Sequence, residues 1–233
     1  KIQKQLTLTK QKYPNIMNPN KKIIINNDIK YIENILNSQY FNMIKNQFND
    51  LNDFKSRNIP GMRKADGLNF INLHKSDEYL KSLEIYYNNQ LTDYISSLVH
   101  KPLQRANSSD VNACSLLIYS QEGDHITWHL DNSIYYGDRY VALLTIMNEN
   151  NKGDDLSANV FSYKLNGKTY DLKAKPNSLL IFKGSEVWHK ASAIKNGEKR
   201  VLLSMTYCDI CQQKKNMYDY IHDKIKNFVV YGN

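Results

Sequence analysis

The sequence predicts an α+β protein with a mainly β core, and three observations carry that prediction. Helical periodicity dominates residues 28–99. The texture turns to short β-rich runs after Pro102. Turn residues divide those runs at the spacing of an antiparallel sandwich or barrel. A chain of 233 residues is long enough for one domain with a sizeable core and short for two.

In chain order, residues 1–27 read as a basic N-terminal arm. Residues 28–233 read as a single domain made of helical support over 28–100, a β core over 112–207 and a C-terminal helix over 213–229. Within 28–56, the apolar residues Ile32, Ile35, Leu36, Tyr40 and Met43 recur at threes and fours, which predicts one helix or two. Ile59-Pro60-Gly61 breaks the chain. Residues 75–99 repeat the helical pattern, with Ser76 and Asp77 as expected caps and Leu80, Leu83, Ile85, Tyr86, Leu91, Tyr94, Ile95 and Leu98 on the apolar side. About eight strands are then expected, near 113–120, 125–131, 139–147, 159–165, 168–173, 178–182, 186–194 and 199–207. Asn166-Gly167 signals a two-residue hairpin, and Pro176-Asn177 and Lys195–Glu198 signal turns.

The formal charge of +8 is concentrated: residues 1–30 hold seven Lys and one acid, and the remainder carries 24 basic against 22 acidic residues. The arm offers a route to an acidic partner such as nucleic acid, and also reads as a solvated tail. Three cysteines, Cys114, Cys208 and Cys211, make no disulfide framework and point to a reducing compartment. Cys208-Asp-Ile-Cys211 is a lone CxxC without the second pair that structural zinc requires. No apolar run approaches the roughly 20 residues of a membrane span. A soluble intracellular protein, cytoplasmic or nuclear, is expected, with any targeting segment ahead of Lys1 left open.

The chemistry-bearing pattern begins at Ile126-Thr127-Trp128-His129-Leu130-Asp131. Strand alternation sends Thr127, His129 and Asp131 to one face and Ile126, Trp128 and Leu130 to the other. An imidazole and a carboxylate two residues apart can share one metal, as the 2-His-1-carboxylate triad of non-haem iron(II) requires. His125 and His189 are the other histidines of the β-rich region, and His189 lies on a late strand that a barrel brings beside an early one. Eleven residues beyond His189, Arg200 shares a strand face with Leu202, Ser204 and Thr206. A guanidinium facing a barrel interior is costly without an anion. A bound dicarboxylate supplies one, and a 2-oxo acid can also chelate the iron.

Leu116–Gly123, Trp128–Asp131 and Ile181–Gly184, leading to His189 and Arg200, resemble the 2-oxoglutarate/iron(II) dioxygenase superfamily, within it the prolyl-4-hydroxylase-like branch. The resemblance covers about residues 112–207 and implies a double-stranded β-helix, or jelly roll. It also implies iron at His129, Asp131 and His189, with 2-oxoglutarate held by Arg200, Tyr119 and the Ser204 hydroxyl, and ascorbate as an accessory reductant. Two departures stand out. The family's glycine-pair-then-acid segment appears only as Lys152-Gly153-Asp154-Asp155-Leu156, and many prolyl hydroxylases carry Lys where this chain has Arg200.

The function expected is therefore a hydroxylase that couples decarboxylation of 2-oxoglutarate to succinate with oxidation of a substrate C–H bond, foremost a prolyl or lysyl side chain of a protein or peptide. Oxidative demethylation or hydroxylation of nucleic-acid bases, hydroxylation of a small molecule and a non-catalytic binding module are the alternatives. The Tyr-rich loop at 131–139 is expected to line the substrate entrance, and Thr145 and Thr206 to face the pocket beside Ser204.

Overall fold

The computed structural model describes residues 15–26, 28–49, 54–56, 58–75 and 79–214. Two antiparallel sheets face each other in the described residues, with helices covering the outside of the larger one. Fourteen strands are described, more than the eight expected, because short N-terminal strands extend both sheets. They are β1 (Lys22–Asn26), β2 (Ile29–Glu33), β3 (Lys55–Ser56), β4 (Arg63–Lys64), β5 (Asp66–Leu68), β6 (Gln104–Arg105), β7 (Cys114–Tyr119), β8 (His125–His129), β9 (Arg139–Glu149), β10 (Phe161–Leu165), β11 (Lys168–Leu172), β12 (Ser178–Lys183), β13 (His189–Ala191) and β14 (Lys199–Cys208). The major sheet runs β1-β2-β12-β9-β14-β7-β5-β3, with β6 pairing β14. The minor sheet runs β11-β10-β13-β8-β4.

Every one of the eight expected core strands is present within a few residues of its expected bounds, as β7 to β14. The β10–β11 hairpin turns at Asn166 and Gly167, whose φ values of 50° and 74° are the left-handed pair that a two-residue turn of this kind needs. The pairing is that of a jelly roll. The alternation of β9 explains the layering. Val141 and Leu143 point between the sheets, where they meet Ile29, Phe161, Tyr163, Leu180 and Phe182. Ala142, Leu144 and Ile146 point outward beneath the helices.

Those helices are α1 (Ser38–Asn49), α2 (Phe70–Lys75), α3 (Leu80–Tyr86) and α4 (Asn89–Val99). Tyr40, Ile44 and Phe48 of α1, Leu83 and Tyr86 of α3, and Leu91 and Ile95 of α4 pack on Leu116, Leu144, Leu203 and Met205 of the sheet. Each such buried side chain contributes about 1.5–3 kcal/mol. Asn37 and Asn88 cap α1 and α4, their side-chain oxygens accepting from the N–H groups of Tyr40 at 2.8 Å and Leu91 at 3.0 Å.

Two expectations need correction. The helix predicted from residue 28 starts only at Ser38, because Ile29–Glu33 is a strand paired with β12 and buried on both faces: Ile29 and Tyr31 sit on the inter-sheet side, Ile32 on the helix side. The basic arm does not run free to residue 27, since Ile16 and Met17 are buried and β1 pairs with β2. The helical pattern expected over 75–99 is present as α3 and α4, with α2 added upstream. The expected caps Ser76 and Asp77 lie outside the described residues, as do residues 1–14 of the arm and the C-terminal helix from residue 215 onward. Among the described residues, no helix is long and apolar enough to cross a membrane.

Candidate active site

A cavity of about 490 Å³ opens between the sheets, and all six site residues singled out in the sequence line it: Tyr119, His129, Asp131, His189, Arg200 and Ser204. Leu117, Val141, Leu143, Phe161, Phe182 and Leu202 form its apolar wall.

His129 and His189 face each other because β8 and β13 pair in antiparallel register at these residues, with ring centroids 4.1 Å apart. The Nδ1 of His129 lies 2.8 Å from the Thr127 carbonyl and that of His189 2.8 Å from the Val187 carbonyl. A carbonyl only accepts, so each Nδ1 carries the hydrogen and each Nε2 keeps its lone pair for the cavity. Phe161 stacks on His189 at 5.7 Å and Phe182 meets it edge-on at 4.8 Å, which fixes the ring. Burial, the largest influence, pulls His189 down to about 4 despite the opposing Asp131 charge, so the ring is neutral near pH 7.

Asp131 follows β8 by two residues, and its Oδ1 is 3.7 Å from His129 Nε2. One ligand atom from each of His129, Asp131 and His189 lies within 4.8 Å of the others, a grouping able to hold a metal ion. Burial pushes the Asp131 carboxyl up, but the Arg139 guanidinium, with His189 and His129, outweighs it and holds the group below the usual carboxylate range. Asp131 is ionised and acceptor-only. His125, the other histidine considered, points its Nδ1 at the Gly123 carbonyl and is outside the cluster.

Arg200 is only 2% exposed, and its Nε and Nη1 meet no hydrogen-bond acceptor among the described residues. It is the cross-strand partner of Tyr119, whose ring centroid is 5.2 Å from the guanidinium carbon. Burial drags the Arg200 guanidinium below its ordinary range, opposed by the hydrogen-bonded Tyr119. The expected alternation on β14 holds: Arg200, Leu202 and Ser204 line the cavity, while Val201, Leu203 and Met205 enter the outer core. Thr145 and Thr206 do not line the cavity. Thr206 instead accepts a hydrogen bond from Arg139 at 3.2 Å.

Arg139 is the site residue that the sequence analysis missed. It is 8% exposed, and its Nη1 sits 3.2 Å from Asp131 Oδ2. The available signal was a guanidinium opening the mostly apolar run of β9, which demands an anion somewhere in the fold.

The loop after Asp131 differs from expectation as well. Asn132 lines the cavity and Tyr136 is exposed, but Tyr135 turns into the core and donates to Asp110 at 2.7 Å. The CxxC segment pins this loop. Tyr136 and Gly137 donate backbone N–H groups to the carbonyls of Gln212 and Ile210, and Lys214 donates to Ile134. Cys208 and Cys211 form a disulfide, a pairing that the cysteine count alone did not lead us to expect.

Residues 114–207 match the family model described as the 2OG-Fe(II) oxygenase superfamily. No curated protein sequence matches the chain significantly. Among solved structures, it is similar to a prolyl hydroxylase from Trichoplax adhaerens in complex with a hypoxia inducible factor peptide fragment. That match has a TM-score of 0.59 and 13% identity, over 89% of this chain and 90% of that one. A Pseudomonas putida prolyl-4-hydroxylase matches with a TM-score of 0.55 and 14% identity, over 81% of this chain and 94% of that one. The epimerase SnoN, in complex with Fe3+, alpha ketoglutarate and nogalamycin RO, matches with a TM-score of 0.59 and 10% identity, over 89% and 84% of the two chains. These structures share the fold, and the stretch that carries His129, Asp131, His189 and Arg200, residues 114–207, is similar in sequence to the 2OG-Fe(II) oxygenase superfamily.

Proposed function

We propose that this oxygenase hydroxylates a prolyl or lysyl side chain of a protein or peptide, with His129, Asp131 and His189 as the iron ligands and Arg200 as the anchor of 2-oxoglutarate. The observation that carries the site assignment is the buried Arg200 guanidinium, short of acceptors among the described residues, in one cavity with a cluster of two imidazoles and a carboxylate. Two imidazole nitrogens and one carboxylate oxygen are a donor set suited to Fe(II), with positions left over for a chelating oxo acid. The pair Fe(II) and 2-oxoglutarate, when bound, supplies the oxidation: one oxygen of O₂ ends in the substrate C–H bond, the other in succinate, and CO₂ leaves.

The chain's own residues supply placement. The Thr127 and Val187 carbonyls hold both imidazoles in the tautomer that presents Nε2. Arg139 keeps Asp131 ionised. Arg200 offers its forked donors to the distal carboxylate of 2-oxoglutarate, and the Tyr119 and Ser204 hydroxyls add polar contacts along the same wall. The apolar residues between them exclude water, which strengthens each of these electrostatic contacts.

The similarity to a peptide-bound prolyl hydroxylase supports the protein substrate, and the similarity to SnoN supports a small-molecule substrate as the second reading. Turnover against peptide pools and small-molecule pools, read by mass spectrometry, separates them. One added oxygen on Pro or Lys of a peptide is expected. Oxidation confined to small molecules, or loss of a methyl from an oligonucleotide, would replace the protein reading.

A further inference from the structure

Arg139 makes contacts that a wall-lining cation does not need. Its Nη1 is 3.2 Å from Asp131 Oδ2, and its Nη2 donates to the Thr206 hydroxyl at 3.2 Å. Thr206 is fully buried and donates in turn to the Asn112 carbonyl at 3.0 Å, so the guanidinium is braced against β14 and the segment before β7. Asp131 is held from a second side. Its N–H donates to the Gly184 carbonyl at 2.9 Å, and Gly184 approaches so closely that a Cβ there would lie 2.3 Å from Oδ2. Oδ2 is therefore enclosed by a cation and a backbone, and Oδ1 is the oxygen turned toward His129 Nε2 at 3.7 Å.

We propose that Arg139 is the positioning residue of the metal site, holding Asp131 by Oδ2 so that Oδ1 alone is offered to the ion. The proposal rests on the reading of His129, Asp131 and His189 as the ligand set. Its chemical consequence is specific. A carboxylate that chelates through both oxygens uses one more coordination position, and a 2-oxo acid needs two adjacent positions free. With two imidazoles on an octahedral ion, one-oxygen ligation by Asp131 leaves three positions open, one more than the oxo acid takes. Only a planar cation with separate nitrogens can hold Oδ2 and the Thr206 hydroxyl at once; the single ammonium of lysine holds one of them well.

The test uses the metal ions alone as probes. Mn(II) and Co(II) are titrated into the wild type, Arg139→Gln and Arg139→Lys without substrate, and the visible Co(II) absorption is recorded, since it reports coordination geometry. Arg139→Gln is expected to bind both ions about 10- to 100-fold more weakly and to change the Co(II) bands. Arg139→Lys is expected to recover part of both. A merely structural role would lower thermal stability and leave the spectrum of the folded, loaded protein unchanged. Wild-type affinity and an unchanged Co(II) spectrum in Arg139→Gln overturn the proposal. If that variant does not fold, Thr206→Val decides: affinity falling a few-fold with a shifted spectrum supports the brace, and no change overturns it. Failure of the wild type itself to bind either ion overturns the ligand-set reading, an outcome distinct from the other two.

Discussion

His129 and His189 are cross-strand partners whose rings stand 4.1 Å apart, each with its Nδ1 satisfied by a carbonyl two residues earlier in the chain. Two imidazoles preorganised in this way, from neighbouring strands, lose little freedom on taking a shared ion. Replacing either by Ala is expected to abolish Fe(II) retention after desalting while leaving the far-ultraviolet circular dichroism of the sheets unchanged. Retention of stoichiometric iron by His129→Ala would remove it from the ligand set.

The depressed His189 ring gives the metal-free protein a pH signature. As pH falls, the unfolded imidazole takes up its proton near 6.5, whereas folded His189 does so only near 4. The unfolded state thus binds more protons between these values, and stability falls as pH drops through that window. The shift corresponds to roughly 3 kcal/mol at most, from about 1.4 kcal/mol per pH unit. Asp131, held low, adds its own loss only below the ordinary carboxylate range. Denaturant unfolding of apo protein at pH 7, 5.5 and 4 reads the effect, and His189→Gln should flatten the curve over 6.5 to 4.

Arg200 is expected to trade stability for binding. Among the described residues its buried guanidinium meets no acceptor at Nε and Nη1, so without a bound anion it bears a desolvation cost that a well-packed apolar side chain would not. Arg200→Met should melt no lower than wild type without ligand, retain Fe(II), and lose the rise in Tm that 2-oxoglutarate gives the wild type. A 2-oxoglutarate-dependent rise that persists in Arg200→Met would assign the anchor elsewhere.

Gly184 is needed for closeness rather than for turn geometry. An added methyl would meet Asp131 Oδ2 at 2.3 Å and its Cβ and Cγ at 3.0 Å, so the carboxylate must move. Gly184→Ala is expected to weaken Mn(II) binding about tenfold or more with little change in Tm. An unchanged Mn(II) titration would show that Asp131 tolerates the displacement.

The β core and most of the site were legible because their signals are local. Period-two alternation placed His129 with Asp131 and Arg200 with Ser204, and Asn166-Gly167 marked its hairpin by backbone conformation alone. What was not legible depends on partners distant in sequence. Ile29–Glu33 carries apolar residues on both faces because one face meets the minor sheet and the other the helices, and that pattern imitates a helix when read alone. Arg139 shows nothing in its own segment that names Asp131 and Thr206 as its partners; pairing of β9 with β14 and the turn into the loop after β8 bring them together. The Tyr-rich loop misled for a related reason, since Tyr135 finds Asp110 across the fold and turns inward.

The central claim is that one cavity joins an iron site to a 2-oxoglutarate site. Purified protein supplied with Fe(II), 2-oxoglutarate and O₂ should release succinate and CO₂, slowly even without its substrate, and His129→Ala and Arg200→Met should both fail to do so. Absence of succinate from the wild type, together with no Fe(II) retention that His129→Ala removes, would contradict it.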